Sequence, residues 1–192
     1  PAGRAGQPVT YIIRAGDEGS LSRLAKHLPQ GSAADPSPDF DIYRVPATRA
    51  RVAPVQPRPA SWPGIDLVGF DLGMGPYAAG DSVPLTVYWR ATDRIELPYT
   101  FFVHFVGPPN PATGNDLWAQ HDAQPGDGTY PTLGWQAGEI VIDDYPIQIP
   151  ANAPAGEYEL VAGFYYLPTL ERLPIVDSSG QAVGDVVTLE TL

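Results

Sequence analysis

Val83-Pro-Leu-Thr-Val-Tyr-Trp-Arg-Ala91 is the stretch whose reading decides the fold. Val83, Leu85, Val87, Trp89 and Ala91 alternate with Pro84, Thr86, Tyr88 and Arg90. A period of two is that of a β-strand with one face in a core and the other turned away from it. The pattern returns where Tyr99, Phe101, Val103 and Phe105 alternate with Thr100, Phe102, His104 and Val106. It returns again where Tyr158, Leu160, Ala162, Phe164 and Tyr166 alternate with Glu157, Glu159, Val161, Gly163 and Tyr165. Weaker candidate strands cover 65–72, 116–122, 139–149, 171–176 and 185–191. Turn residues separate nearly all of them: Ala79-Gly-Asp81, Gly107-Pro-Pro-Asn110, Pro125-Gly-Asp-Gly128, Pro154-Ala-Gly156 and Asp177-Ser-Ser-Gly180. About seven to nine short strands without a helical period imply a mainly β chain folded as an antiparallel β-sandwich.

Two local patterns point to an immunoglobulin-like arrangement, with a jelly roll as the alternative. Gly80-Asp-Ser-Val-Pro-Leu-Thr-Val87 has the turn-then-alternation form of a second strand in such domains. Gly156-Glu-Tyr-Glu-Leu160 has the form of their penultimate strand, where a tyrosine bonds back to the preceding corner. Leu160 stands where antibody domains carry a cysteine, and the chain has no cysteine at all. An antibody-type disulfide is therefore excluded.

Outward from the sandwich, the N-terminal zone reads differently. Val9–Arg14 and Phe40–Val45 have the composition of strands. Between them Leu21, Leu24, Ala25 and Leu28 recur at helical spacing, which predicts a helix over about Ser20–Leu28 that ends at Pro29 and Gly31. A strand–helix–strand unit of this length is expected to be parallel and right-handed. Residues 46–63 hold Pro46, Pro54, Pro57, Pro59 and Pro63 with Arg49, Arg51 and Arg58 between them, the composition of an extended connector. The expected organisation is a small α/β appendage over 1–46, a Pro/Arg-rich linker over 47–63 and the sandwich over 64–192.

Charge is distributed in the same way. Residues 1–60 carry eight Arg/Lys against five Asp/Glu, while residues 61–192 carry three against seventeen, for the overall net charge of −11. A sandwich this acidic lacks the clustered basic face that nucleic acid requires. No run approaches the ~18 apolar residues of a membrane span, and the chain opens on Pro1 with Met74 as its sole methionine. The expected attachment to a membrane would run through an upstream region.

The search for chemistry finds no catalytic centre. The three histidines, His27, His104 and His121, accompany no Gly-x-Ser-x-Gly elbow. His121 precedes Asp122, but neighbours on a strand point to opposite faces. Glu157 and Glu159 share a strand face as a solvent-facing pair does. Asp143-Asp144 ahead of Pro146 read as an edge or a bend. No His or Asp spacing makes a metal signature, and the Asp122-Ala-Gln-Pro-Gly-Asp127-Gly turn, which could offer calcium two carboxylates, is explained by turn chemistry alone. No cofactor is implied.

Chemistry-bearing residues are densest between Trp118 and Glu139. Trp118, His121, Asp122, Tyr130 and Trp135 are the candidate ligand-binding residues. Aromatic faces beside carboxylates suit sugar, the ring covering the apolar face of a pyranose while polar groups take its hydroxyls. The competing reading is a plug in one end of the sandwich, which requires that Trp118, Tyr130 and Trp135 be buried with their polar tips hydrogen-bonded.

Those residues carry a family resemblance as well. His121-Asp-x-Gln-Pro, Gly128-x-Tyr-Pro-Thr-x-x-Trp-x-x-Gly-Glu139, Ala155-Gly-Glu-Tyr-Glu-Leu160 and Gly163-Phe-Tyr165 are similar to the C-terminal sandwich of bacterial polytopic membrane glycosyltransferases. These are enzymes of the protein mannosyltransferase and aminoarabinose transferase type, which use polyprenyl-phosphate sugars. Residues 8–45 likewise resemble the short α/β piece after their last membrane helix. The resemblance implies a non-catalytic extracytoplasmic accessory domain, with a carbohydrate or the transferase's membrane domain as partner. The family's catalytic acids lie far upstream, and none is carried over. The alternative is a structural or protein-interaction sandwich with no small-molecule ligand.

Overall fold

The computed structural model describes residues 3–4, 9–14, 35–36, 39–45 and 54–192. In chain order the strands are β1 (Gly3–Arg4), β2 (Val9–Arg14), β3 (Asp35–Pro36), β4 (Phe40–Val45), β5 (Gln56–Trp62), β6 (Ile65–Leu72), β7 (Ser82–Val83) and β8 (Leu85–Ala91). They continue as β9 (Thr100–Val106), β10 (Leu117–Ala123), β11 (Ile140–Asp144), β12 (Ile147–Gln148) and β13 (Glu159–Tyr166). The last are β14 (Glu171–Arg172), β15 (Ile175–Val176), β16 (Ala182–Gly184) and β17 (Val187–Thr191). A single 3-10 turn, Thr132–Gly134, interrupts the long β10–β11 connection. Among the described residues no helix is long and apolar enough to cross a membrane.

The protein is a mainly β, antiparallel sandwich. One sheet has the order β1-β11-β8-β6-β5, and the other has β10-β9-β13-β14 with β17 also paired to β13. The alternation read in the sequence explains why the sheets stack. Leu85, Val87, Trp89 and Ala91 of β8 face Phe101, Val103 and Phe105 of β9 and Leu160, Ala162 and Phe164 of β13, and all of them are buried. At the centre Trp89 meets Phe101 and Phe164 with ring centroids 4.5 and 5.0 Å away, and Trp62 closes over Phe164 at 5.4 Å.

Two side seams join the sheets. On one, Arg58 Nε of β5 donates to the Thr188 carbonyl of β17 at 2.8 Å. On the other, β10 packs beside β12, and its polar contacts form part of the candidate site. Tyr158 fixes one end: its hydroxyl donates to the Pro154 carbonyl at 2.8 Å, and its ring stacks on Phe105 at 4.4 Å. This is the backward hydrogen bond expected from Gly156-Glu-Tyr158. Tyr158→Phe is expected to keep the fold and lower unfolding free energy by about 1 kcal/mol, the usual net value of one such bond, as read from a urea denaturation midpoint.

The N-terminal strands depart from expectation. β2 and β4 pair antiparallel, Val9 opposite Val45 and Arg14 opposite Phe40, and β3 joins β4 antiparallel on its other side. The parallel, right-handed unit is thus corrected. Antiparallel neighbours need no crossover over one face, so the length of the intervening chain does not dictate direction. The helix expected over Ser20–Leu28 lies outside the described residues. β1, from the stretch read as the appendage, pairs with β11. The stretch read as a linker contains β5, an edge strand of the first sheet. Pro57 and Pro59 are tolerated there because an edge strand needs hydrogen bonds on one side only, and the pairing slips between Pro57 and Ala60.

Candidate functional site

The five residues singled out between 118 and 139 do not converge. Trp118 sits where the β9–β10 register shifts between Leu117 and Ala119. The ring turns into the sandwich, 7% exposed, and Nε1 donates to the Pro108 carbonyl at 2.7 Å. β10 runs from Leu117 opposite Val106 to Ala123 opposite Phe101, so the segment that follows it reaches the opposite end of the sheet. There Trp135, 4% exposed, donates from Nε1 to the Tyr130 carbonyl at 3.1 Å. The half-buried Tyr130 places its hydroxyl on Glu139 Oε1, while Glu139 Oε2 accepts the Gln136 amide at 2.8 Å. Thr132 ties this end down, its hydroxyl oxygen accepting from the Tyr99 amide and donating to the Leu97 carbonyl. Both indoles therefore pin loops from inside.

His121 and Asp122 part company, as strand neighbours must. Asp122 lies on the outer face of the second sheet, opposite Phe102. Its Oδ1 is 3.2 Å from His104 Nε2, yet the two are out of line for a hydrogen bond. Burial and then the Asp122 charge raise the Tyr165 hydroxyl above the usual tyrosine range. Phe102 is 1% exposed on this outer face, with the Arg172 guanidinium 4.9 Å above its ring and Arg172 itself 3.4 Å from Asp185. Glu157 and Glu159 are both exposed.

His121 instead faces the β10–β11/β12 seam, and here the structure gathers groups that composition had not singled out together. Its ring meets Tyr145 at 5.2 Å; Nδ1 is 3.1 Å from the Pro146 carbonyl and Nε2 is 3.7 Å from Asp127 Oδ1. Asp143 is 4% exposed. Its Oδ2 accepts the Gly126 amide at 2.7 Å, and Oδ1 accepts the Asp144 amide at 3.0 Å. Burial pushes the Asp143 carboxyl up to about 6, against the hydrogen bonds of the Gly126 and Asp144 amides, which pull it down. The buried Tyr145 hydroxyl lies beside this carboxylate without good hydrogen-bond alignment; burial, followed by the Asp143 charge, raises it well above the usual tyrosine range.

The alternation Val141, Asp143, Tyr145 was the available signal for this cluster. All three are buried, whereas Asp144 points out to accept from the Thr86 hydroxyl. Asp122 and Asp127, the two carboxylates that the turn could offer to calcium, answer to different histidines. Among the described residues no group of three or more His, Asp or Glu is placed to hold a metal ion.

No protein-family model matches the chain, and no curated protein matches it.

Proposed function

We propose that this chain is a non-catalytic, extracytoplasmic β-sandwich that packs against its parent or a protein partner, and that it does not bind glycan through segment 118–139. One observation carries the reading. All four tryptophans, Trp62, Trp89, Trp118 and Trp135, are buried. The indole N–H groups of Trp118 and Trp135, the two in the candidate segment, are taken by backbone carbonyls. A sugar-stacking platform needs an open ring face. Trp118 and Trp135 spend both faces on the core, at opposite ends of β10.

Immunoglobulin-like topology is the arrangement that the strand order supports. β6, β8 and β11 are neighbours in one sheet; β10, β9, β13 and β17 follow one another in the other. Consecutive β8 and β9 therefore lie in different sheets, as in the Greek-key sandwiches. The Tyr158–Pro154 hydrogen bond stands at the corner before β13. Association with a membrane glycosyltransferase rests on the sequence resemblance, and the residues that carry it, including Gly128, Tyr130, Trp135 and Tyr158, occupy turns and buried positions. They mark an architecture, which suits a packing role.

Titration of intrinsic tryptophan fluorescence with oligosaccharides and polyprenyl-phosphate sugar analogues tests the proposal. No saturable change is expected. A saturable response that Trp118→Phe or Trp135→Phe removes, with the fold intact by circular dichroism, would establish glycan binding in its place.

A further inference from the structure

We propose that the end of the sandwich made by the connections 92–99, 131–139 and 167–170 is a lipid-contacting tip, whose exposed leucines enter the surface of an uncharged bilayer. The proposal goes beyond the packing role above and does not rest on it.

Strand register brings the three connections together. β8 ends at Ala91 and β9 starts at Thr100, so 92–99 caps one end of the sandwich. Ile140, just after 131–139, stands opposite Arg90, and Tyr165, just before 167–170, stands opposite Thr100. Thr132 ties 131–139 to 92–99 through the Leu97 carbonyl and the Tyr99 amide. Glu171 comes near enough to Tyr99 that its charge, after burial, helps to raise the tyrosine hydroxyl.

Leu97, Leu133, Leu167 and Leu170 are 37, 52, 54 and 69% exposed, and among the described residues they are all the exposed leucines. Single apolar side chains scattered over a surface are ordinary. Here every exposed leucine stands on a connection at the same end. Leu170 carries a second cost. Its φ is 59°, and the Thr169 and Leu170 amides both donate to the Tyr166 carbonyl, at 3.1 and 2.8 Å. Glycine takes that conformation freely and leucine does not. A left-handed backbone that turns an apolar side chain toward water breaks two local rules at once, which is how functional positions stand out from structural ones.

A lipid surface is the occupant that these features fit. The leucines come from separate turns, and a bilayer receives projecting apolar side chains without demanding a matching relief. Half-buried Tyr99, Tyr130 and Tyr166 lie beside them, amphipathic rings of the kind favoured where lipid meets water. Charge specifies the lipid. Asp93, Glu96 and Glu171 border the leucines, while Arg94, the one basic side chain of the three connections, pairs with Glu96 at 3.2 Å. Such a rim gains nothing from an anionic bilayer, so a zwitterionic one is expected. The same rim sets two copies of the chain against each other, and four leucine tips fall short of the roughly 1,200–2,000 Å² that a specific protein interface buries.

Titration of the whole chain with phosphatidylcholine vesicles tests the tip, read by flotation and by quenching of tryptophan fluorescence with brominated acyl chains. Saturable binding at millimolar lipid is expected. Leu133→Ser and Leu170→Gly, on different connections, should each weaken it about tenfold, the share of one partly exposed leucine. Leu170→Gly should do so without lowering the urea midpoint, because glycine relieves the left-handed backbone. Met74→Ser is the control: Met74 is 98% exposed but lies between β6 and β7 at the other end, and its loss should leave binding unchanged. No binding up to about 10 mM lipid overturns the proposal. So does binding that both leucine variants retain, or that Met74→Ser weakens equally. Binding confined to phosphatidylserine vesicles, or abolished by about 1 M salt, overturns it as well, since the attraction would then be electrostatic. Dimerisation by sedimentation velocity that Leu170→Gly removes, with no response to vesicles, would assign the leucines to a second copy of the chain in place of lipid.

Discussion

Trp89→Ala is expected to lower unfolding free energy by about 3–5 kcal/mol, the range for deleting a large buried aromatic. Trp89 is 0% exposed and lies where the two sheets meet. Phe101 and Phe164 come from the second sheet, and Trp62 comes from the edge of its own sheet at 6.1 Å. These rings are anchored in strands, so they cannot all move in to fill the space, and a cavity persists. Trp89→Phe separates packing from polarity. The Trp89 indole nitrogen is buried without a hydrogen-bond partner, and a buried N–H left unpaired costs about 1–3 kcal/mol. Phenylalanine removes that burden while keeping most of the ring, so its loss should be less than half that of alanine. Urea denaturation followed by far-ultraviolet circular dichroism measures both. An alanine variant that loses less than about 1.5 kcal/mol would mean that the aromatic cluster does not anchor the sheets.

The strands at the centre of the sandwich were legible because burial on one face writes itself as alternation. Leu85–Ala91, Thr100–Val106 and Glu159–Tyr166 are strands almost to the residue of the patterned stretches. β5 was not legible. An edge strand that uses one side of its backbone can carry Pro57, Arg58 and Pro59, and such a composition is also that of a connector. The direction of β4 relative to β2 was hidden for another reason: strand direction is set by the path of the connection, and a possible helix between two strands does not fix that path.

The candidate site divides along similar lines. The separation of His121 from Asp122 could be read from strand geometry, and one faces Tyr145 while the other faces His104. The inward turn of Trp118 could not, because it depends on a register shift at Leu117/Ala119 that no local pattern announces. Asp143 shows two rules in conflict. A charged residue before a bend suggests the surface, yet its place between Val141 and Tyr145 puts it on the buried face. Register prevailed, since moving Asp143 outward would turn Val141 and Tyr145 out with it. The carboxylate is kept by two backbone amides and shifts toward its neutral form.

Gly69→Ala is expected to cost about 3–5 kcal/mol, and the reason lies between β5 and β6. The β6–β8 pairing shifts register between Leu67 and Gly69, and Gly69 has φ of 155°. A Cβ there would fall 2.6 Å from Pro54 Cγ and 2.9 Å from the Pro57 Cα, and closer still to the Gln56 carbonyl oxygen. Two of these are backbone atoms of the neighbouring chain, which no rotamer change can withdraw. Backbone strain of about 1–3 kcal/mol and overpacking of about 1–3 kcal/mol act together. Gly80→Ala is the control, because Gly80 also has a positive φ, of 92°, but open space around its Cβ position. It carries strain without a clash and should lose only about 1 kcal/mol. If the two variants lose equally, β5 is yielding to the added methyl. In that event Arg58 should also release Thr188, and Trp62, at the end of β5, should become accessible to a fluorescence quencher. If Gly69→Ala loses several kcal/mol more, the bulge holds the edge strand rigidly against the sheet. The sandwich is then closed on this side by the same prolines that made the segment look like a connector.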